Sequence, residues 1–523
     1  MSTVRPVTPP TKEASCAGLL VADLVAAGAS RALTERVALT GDGWTMSYGR
    51  LADDARRWHR LLHESGLRSG ERIAILALNG PEYLGVLYGA SMCGAVVVLL
   101  NTRLDAASIR YQLEDSAARL VIVDPAHHRL AADAGAFDLP AVTLDADYRD
   151  RFRAIEPAPA GTVRPDPDGP FVQLYTSGTT GRSKGCVISQ RAWVASATNL
   201  VTALRLTDAD VHIGAGPFFH VAGLGTAMSV LSAGGRLVFG SSRSLDESWE
   251  LVARHGVTIG TFVGGAVVNA ARHPMSATHA GTLRVLTGQA GKHTPAEHRE
   301  MAELVPHAGY VGIYGSTEAG NFATCTTRAD EIARPGTVGR PLIGFRAAVV
   351  DPDDRPLEPG EAGELVLRGG SVMSEYWGLP EATAETLRGG WLHTGDVMRM
   401  DEDGYLYMLD RLKDMVKTGG ENVYSIEVEQ VLRRHPAVRD CAVIGVPDAR
   451  WGEGVKAVVV PASNAEADVE SLDAWCLERL AAYKRPRWYQ FEDALPTNGA
   501  KVDKKRLRAD HDPRTCVRLP ERR

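Results

Sequence analysis

The sequence predicts an α/β protein of more than one domain, and three observations carry that prediction. At 523 residues the chain is too long for a single hydrophobic core. Through roughly its first two thirds, short apolar runs alternate with helical patterns, the signature of parallel strands joined by crossover helices. After Pro335 the character changes to short strands split by Pro/Gly/Asp turns, and beyond Asp410 a further α/β unit begins.

Taken in order, residues 1–16 are Pro/Thr-rich and read as a flexible N-terminus without an apolar signal core. The apolar stretch 19–33 is interrupted by Asp23 and Arg31 and is too short to span a bilayer. Tyr48 to Ser65 has the apolar spacing of a helix, and Arg72 to Leu78 reads as a buried strand. A helix follows Pro81, then apolar strands at 95–100 and 120–124. Residues 157–170 are rich in Pro, Gly and Asp and read as a surface linker, so one α/β subdomain spans 17–170 and a second 171–340. Strand candidates in the second are 171–174, 236–239 and 283–286. Short strands at 347–352 and 363–368 make a small β lobe over 341–410. The last domain, 411–505, carries a helix at 425–434 and strands at 441–444 and 455–460, and a basic tail covers 506–523. There is no internal repeat.

Composition narrows the function. Hydrophobic residues at 44% and charged residues at 23% suit a soluble globular protein. With 58 Lys+Arg against 64 Asp+Glu the chain is mildly acidic, which argues against a nucleic-acid partner. Its seven cysteines are scattered and include no CxxC pair, as expected of reduced thiols in the cytoplasm and not of a zinc site.

One stretch organises the chemistry: Tyr175-Thr176-Ser177-Gly178-Thr179-Thr180-Gly181-Arg182-Ser183-Lys184-Gly185. Its glycines let backbone amides curl closely around a ligand, its hydroxyls add donors, and Arg182 and Lys184 add charge, a composition that suits a polyphosphate. It is not the GxxxxGK[ST] loop, because Ser183 precedes and Gly185 follows Lys184. On composition alone it is also an ordinary basic Ser/Gly turn.

Five further segments combine with it. Tyr314-Gly315-Ser316-Thr317-Glu318 offers an aromatic to stack on a base, a hydroxyl for a phosphoryl oxygen and a carboxylate for Mg²⁺, or else a plain strand-to-turn segment. Asp396 in Trp391-Leu392-His393-Thr394-Gly395-Asp396 is either a capping residue or an acceptor for a vicinal diol. Arg411-Leu412-Lys413-Asp414 is charged and poor in apolar residues, which fits a hinge, and Lys417 to Val423 holds the paired Gly419 and Gly420. Near the C-terminus, Lys501 in Leu495-Pro496-Thr497-Asn498-Gly499-Ala500-Lys501 reads by itself as a solvated charge.

These segments, in this order and over about 33–505, resemble the adenylate-forming superfamily, in particular its branch of acyl-CoA synthetases and AMP-dependent ligases. The resemblance implies a large N-terminal AMP-binding domain over 17–410 with two α/β subdomains and a β-barrel-like lobe, and a small, mobile α+β lid. It implies that Thr176, Ser177, Gly178, Thr179, Thr180 and Lys184 hold the ATP phosphates. Tyr314 would stack on the adenine, Gly288, Gln289 and Ala290 would lie near the adenine and acid sites, and Gly315 and Ser316 would belong to the same nucleotide site. Thr317 would bind the α-phosphate, Glu318 the Mg²⁺, Asp396 and Arg411 the ribose. Lys413 would be the pivot, Gly419 and Gly420 would line a channel for the coenzyme A thiol arm, and Lys501 would be the catalytic lysine. Alanine stands before Lys501 where the family more often keeps glycine.

The acid pocket departs further from the family. His220, in Pro217-Phe218-Phe219-His220, resembles the histidine that borders the acyl site, though a core-packed histidine is the alternative. Val263-Gly264-Gly265 replaces a proline-bearing turn, Ile313 stands where glycine is frequent, and Gly288-Gln289-Ala290-Gly291-Lys292 adds an amide and a cation. These point to a compact or polar acid. The resemblance implies an ATP-dependent carboxylic acid:CoA ligase working through an acyl-adenylate. The alternatives are a carrier-protein thiol or an amine as acceptor, an unusual acid such as nitrite, a luciferase-like oxygenase, and a non-catalytic adenylate-binding protein.

Overall fold

A computed structural model describes residues 19–28, 34–159, 164–176, 182–213, 216–240, 244–261, 266–462, 467–498 and 501–519. The chain forms two compact units, Met1–Ala347 with Leu367–His393, and Ala348–Val366 with Thr394–Arg523.

The first unit is α/β, as the alternation of apolar runs requires. One sheet has seven strands in the order Glu375–Tyr376, Lys184–Ser189, Pro170–Thr176, Val96–Leu99, Arg72–Leu76, Leu120–Val123, Ala141–Thr143. The five from Pro170–Thr176 to Ala141–Thr143 run parallel to their neighbours. The sheet does not stay parallel to its edge. Lys184–Ser189 returns antiparallel to Pro170–Thr176, because a connection shorter than the roughly dozen residues of a crossover permits nothing else. Glu375–Tyr376 then adds a second antiparallel edge.

The second sheet of this unit contains Val285–Gln289 and Gly309–Ser316 side by side and parallel, followed by Asn321–Thr327 as an antiparallel partner. The apolar run expected as a strand from 283 enters it at Val285. Leu283 instead leaves a 3-10 turn, Ala280–Thr282, and is buried there. Helices Tyr48–Glu64, Pro81–Cys93, Gln190–Leu204 and Val221–Ser232 supply much of the main core. In Pro81–Cys93 both faces are buried, and Gly85 and Gly89 lie so close to Trp58 of the neighbouring helix that a methyl at Gly89 would overlap the Trp58 Cβ.

The neighbouring strands Phe345–Val350, Ala362–Gly369, Leu392–Met400 and Leu406–Arg411 form the small β lobe, and the second unit takes from them the residues in 348–366 and from 394 onward. It continues into a mixed sheet built on the long antiparallel pair Val438–Asp448 and Gly452–Pro461. Helices Ser425–Leu432 and Val469–Leu477 pack on one face over Val443, Val455, Ala457 and Tyr489. Helix Lys504–Ala509 lies against the other through Leu507, with Ile444 and Trp488. Among the described residues, no helix is long and apolar enough to cross a membrane.

Candidate active site

In the first unit, Thr176 and Lys184 are cross-strand partners at the open end of their hairpin. Ser177, Gly178, Thr179 and Thr180, expected to hold phosphates, lie outside the described residues, as do Val263, Gly264 and Gly265 of the expected acid wall. The flank of the loop is firmly held: the Tyr175 hydroxyl donates to Asp115 at 2.6 Å, and the Tyr111 hydroxyl to the Ser183 carbonyl at 3.0 Å. The Arg182 guanidinium stands 5.2 Å from the Tyr111 ring centre.

Lys184 meets Glu318 through a residue the sequence did not single out. Its ammonium lies 4.0 Å from the ring centre of Tyr376, whose hydroxyl donates to Glu318 Oε1 at 2.9 Å. Burial, with the Glu318 charge second, holds the Tyr376 phenol far above the usual tyrosine range, so it remains a donor. Cys186 completes the group. Its thiol is fully buried, and burial followed by the charge of Glu318 keeps it protonated while Lys184 opposes the shift. A neutral thiol is no nucleophile, so Cys186 is packing, not chemistry.

The turn carrying Thr317 and Glu318 is fixed from the same side. Met373 N–H donates to the Glu318 carbonyl at 2.8 Å, and the Ser371 hydroxyl to the Ala319 carbonyl at 3.0 Å. Gly320 has φ +76°, and a Cβ there would overlap the Ser371 carbonyl, so only glycine closes the turn against that segment. Three stretches far apart in sequence, around 184, 318 and 371–377, thus converge.

The expected adenine residues sit on adjacent strands. Gly288 and Gln289 end Val285–Gln289 and pair with Gly312 and Ile313; Ala290 N–H reaches the Ile313 carbonyl at 3.1 Å. Tyr314, Gly315 and Ser316 follow on the same strand as Ile313, with Gly315 exposed and Tyr314 half-buried. The segment is propped from below by Glu331, wholly buried, which accepts from Thr326 Oγ1 at 2.5 Å and Gly291 N–H at 3.3 Å and pairs with His298 Nε2 at 2.9 Å. The Thr327 capping box that starts helix Arg328–Ala333 aims Glu331 inward.

His220 is not core-packed. It is exposed and caps helix Val221–Ser232, its Nδ1 accepting from Ala222 N–H at 3.2 Å. One turn along, Gly225 faces the side chain of Asn321, and a Cβ at Gly225 would overlap the Asn321 amide nitrogen. A mid-helix glycine costs about 1 kcal/mol relative to alanine, so the amide occupies space the helix gives up stability to leave open.

In the second unit, Asp396 and Arg411 are cross-strand partners with Oδ1 and Nε 3.5 Å apart. Asp396 N–H is held by Thr394 Oγ1 at 3.1 Å, and the residue is buried. Asp410 is spent on structure: it is buried and accepts from the Ser425 backbone and hydroxyl and from Arg411 N–H. Lys413 is exposed, yet partial desolvation of its ammonium, then the nearby Arg411 charge, lowers its amine below the usual lysine range. Gly419 and Gly420 both have positive φ, +59° and +86°, and close the hairpin between Val416–Thr418 and Glu421–Val423 as a two-residue turn. Trp451, which the sequence did not mark, covers Gly419, receives its N–H at 2.9 Å, and stays 40% exposed with Arg450 stacked at 4.5 Å. Lys501 lies in the short strand Lys501–Val502, paired with Thr497–Asn498; its side chain lies outside the described residues.

Chemically, the first set offers a cation, a carboxylate and a hydroxyl around one turn. Glu318 keeps Oε2 free of the Tyr376 bond, and a single carboxylate completed by phosphate oxygens is how Mg²⁺ is commonly held. Among the described residues no three His, Cys, Asp or Glu side chains form an all-protein cage, so such an ion would rely on the nucleotide.

Known proteins share this design. A family model described as AMP-binding enzyme matches residues 26–377, and one described as AMP-binding enzyme C-terminal domain matches 427–501. Feruloyl-CoA synthase of an Amycolatopsis species is 38% identical over 468 residues, 88% of this chain and 92% of the relative. The fatty acid–[acyl-carrier-protein] ligase ScoC of Streptomyces coeruleorubidus is 34% identical over 482 residues, 89% and 92% of the two chains. The crystal structure of ATP-bound MatB from Rhodopseudomonas palustris superposes with a TM-score of 0.85 at 32% identity, covering 94% of this chain and 99% of that one.

Proposed function

Because the chain belongs to the AMP-binding enzyme family, we propose that it is an ATP-dependent carboxylic acid:CoA ligase. It joins the acid to AMP with release of pyrophosphate and then passes the acyl group to a thiol. The observation that carries this reading is the meeting of Lys184 and Glu318 at Tyr376, which gathers phosphate-binding and metal-binding chemistry at one turn.

A carboxylate resists thiols because oxide is a poor leaving group; as a mixed anhydride with AMP it leaves readily. The protein's part is positioning and charge stabilisation. Residues 176–180 and Lys184 hold the phosphates, Tyr314 and the 288–290 strand end border the adenine, and Asp396 with Arg411 takes the ribose hydroxyls. Thr317 and Lys501 bind the α-phosphate oxygens, where negative charge develops. Mg²⁺ bound by Glu318 would neutralise the phosphates. The Gly419–Gly420 turn, with no side chains and an exposed Trp451 beside it, suits the passage of a thin thiol arm. Residues 411–505 act as the lid and Lys413 as its pivot. Cysteines that are all free among the described residues suit work in the cytoplasm.

The test is a pyrophosphate-release screen over carboxylic acids with no acceptor, with CoA, and with a phosphopantetheinylated carrier protein, the acceptor class in the ScoC name. Acid-dependent pyrophosphate release with consumption of CoA is expected. Absence of acid-dependent release across short, aromatic and long-chain acids refutes adenylation, and release without CoA consumption refutes CoA as the acceptor.

A further inference from the structure

We propose that Asn321 is a specificity-determining residue of the acid site and that the acid it selects carries a hydroxyl group away from its reacting carboxyl. The proposal rests on the adenylation reading above and names the substrate class of that site.

Asn321 is the cross-strand partner of Ser316 and closes the hairpin whose turn holds Thr317 and Glu318. Its side chain points at Gly225, five residues or about 7.5 Å along the helix from His220. It therefore lies between the phosphate-binding turn and the helix start expected to border the acid. Asn321 is 3% exposed, yet among the described residues neither its Oδ1 nor its Nδ2 has a hydrogen-bond partner. Buried polar side chains are nearly always paired, so two unpaired atoms on one buried amide call for an explanation.

The backbone sharpens the point. Asn321 has φ +141°, a region that glycine occupies freely and other residues do not. Asparagine is tolerated at positive φ chiefly when its short side chain bonds to its own backbone nearby. Here the amide makes no such bond. Nothing local rewards asparagine over glycine at this position, and Gly225 on the facing helix leaves room for the amide. Strain retained without a local return marks functional positions.

The amide's chemistry defines what it reads. It presents a donor and an acceptor together. A hydroxyl answers both, donating to Oδ1 and accepting from Nδ2. A second carboxylate only accepts and would leave Oδ1 unpaired, and an unsubstituted acid would leave both atoms unpaired at every turnover.

The experiment measures kcat/KM for pyrophosphate release with matched acids: 4-hydroxybenzoate and benzoate, 4-coumarate and cinnamate, 3-hydroxybutyrate and butyrate. The wild-type protein is expected to favour the hydroxylated member of at least one pair by about tenfold or more. Asn321→Gly fits the backbone and removes the amide, so its hydroxyl preference should collapse toward unity with no loss of thermal stability. Asn321→Asp keeps the shape but only accepts, so it should retain the hydroxylated acid and discriminate further against its methoxy analogue. An unchanged ratio in Asn321→Gly, or a wild-type preference for the unsubstituted acid in every pair, overturns the proposal while leaving adenylation standing. Silence toward every acid overturns both.

Discussion

Removing one oxygen from Tyr376 tests whether Lys184 and Glu318 work as a unit. Tyr376→Phe keeps the ring, and with it the 4.0 Å approach of the Lys184 ammonium, but deletes the 2.9 Å bond to Glu318. A hydrogen bond to a charged group contributes about 1.5–3 kcal/mol. Glu318 is only half-buried, so water partly replaces the lost donor and the lower end applies. About 1.5 kcal/mol corresponds to roughly a 12-fold loss in kcat/KM. Because the phenol orients the carboxylate assigned to Mg²⁺, the Mg²⁺ concentration for half-maximal activity should rise as well. Tyr376→Ala should lose more, since it also removes the cation–π contact, about 0.5–2 kcal/mol. Its buried ring, 5% exposed, also leaves a cavity that lowers stability by about 3 kcal/mol. Pyrophosphate–ATP exchange over a Mg²⁺ series reads all of this. Wild-type rates and Mg²⁺ dependence in Tyr376→Phe would refute the idea that this bond orients the site.

Three further outcomes are expected. Lys501→Ala should lower adenylate formation by about 10²–10³ while still thioesterifying a supplied acyl-adenylate, and loss of both half-reactions together would count against its assigned role. Gly320→Ala, forced to φ +76° with its methyl against the Ser371 carbonyl, should cost roughly 2–3 kcal/mol and displace Glu318. A lowered melting temperature together with weakened pyrophosphate exchange checks it. Burial pushes His212 down to about 4 from 6.5, so the unfolded chain binds a proton between these values that the folded chain refuses. Stability from this group is present above pH 6.5 and falls on acidification, by about 2 kcal/mol between pH 7 and 5. Urea midpoints at the two pH values should show a shallower decline in His212→Gln.

How much was legible beforehand follows the range of the forces involved. Apolar runs at 72–78, 95–100 and 120–124 reveal strands because burial on both faces demands continuous hydrophobicity. The run at 283–286 misled by two residues because Leu283 is buried without being in the strand. His220 was assignable to a segment but not to an environment, and its role as a helix cap depends on where the helix starts in space. Tyr376, Asn321 and Glu331 carried no local signal. A tyrosine, an asparagine or a glutamate reads as ordinary until its partner from a distant stretch is known.

What the linear order of residues determined by itself was the α/β architecture and the motif segments that carry the family resemblance, because periodicity and glycine or charge spacing are local properties. Only the tertiary structure decided that Lys184 reaches Glu318 through Tyr376, that Glu331 props the 288–291 strand end, and that the Asn321 amide is buried without a partner. These depend on side chains from separate elements being brought within a few ångströms. That proximity is a product of packing, and no window of sequence contains it.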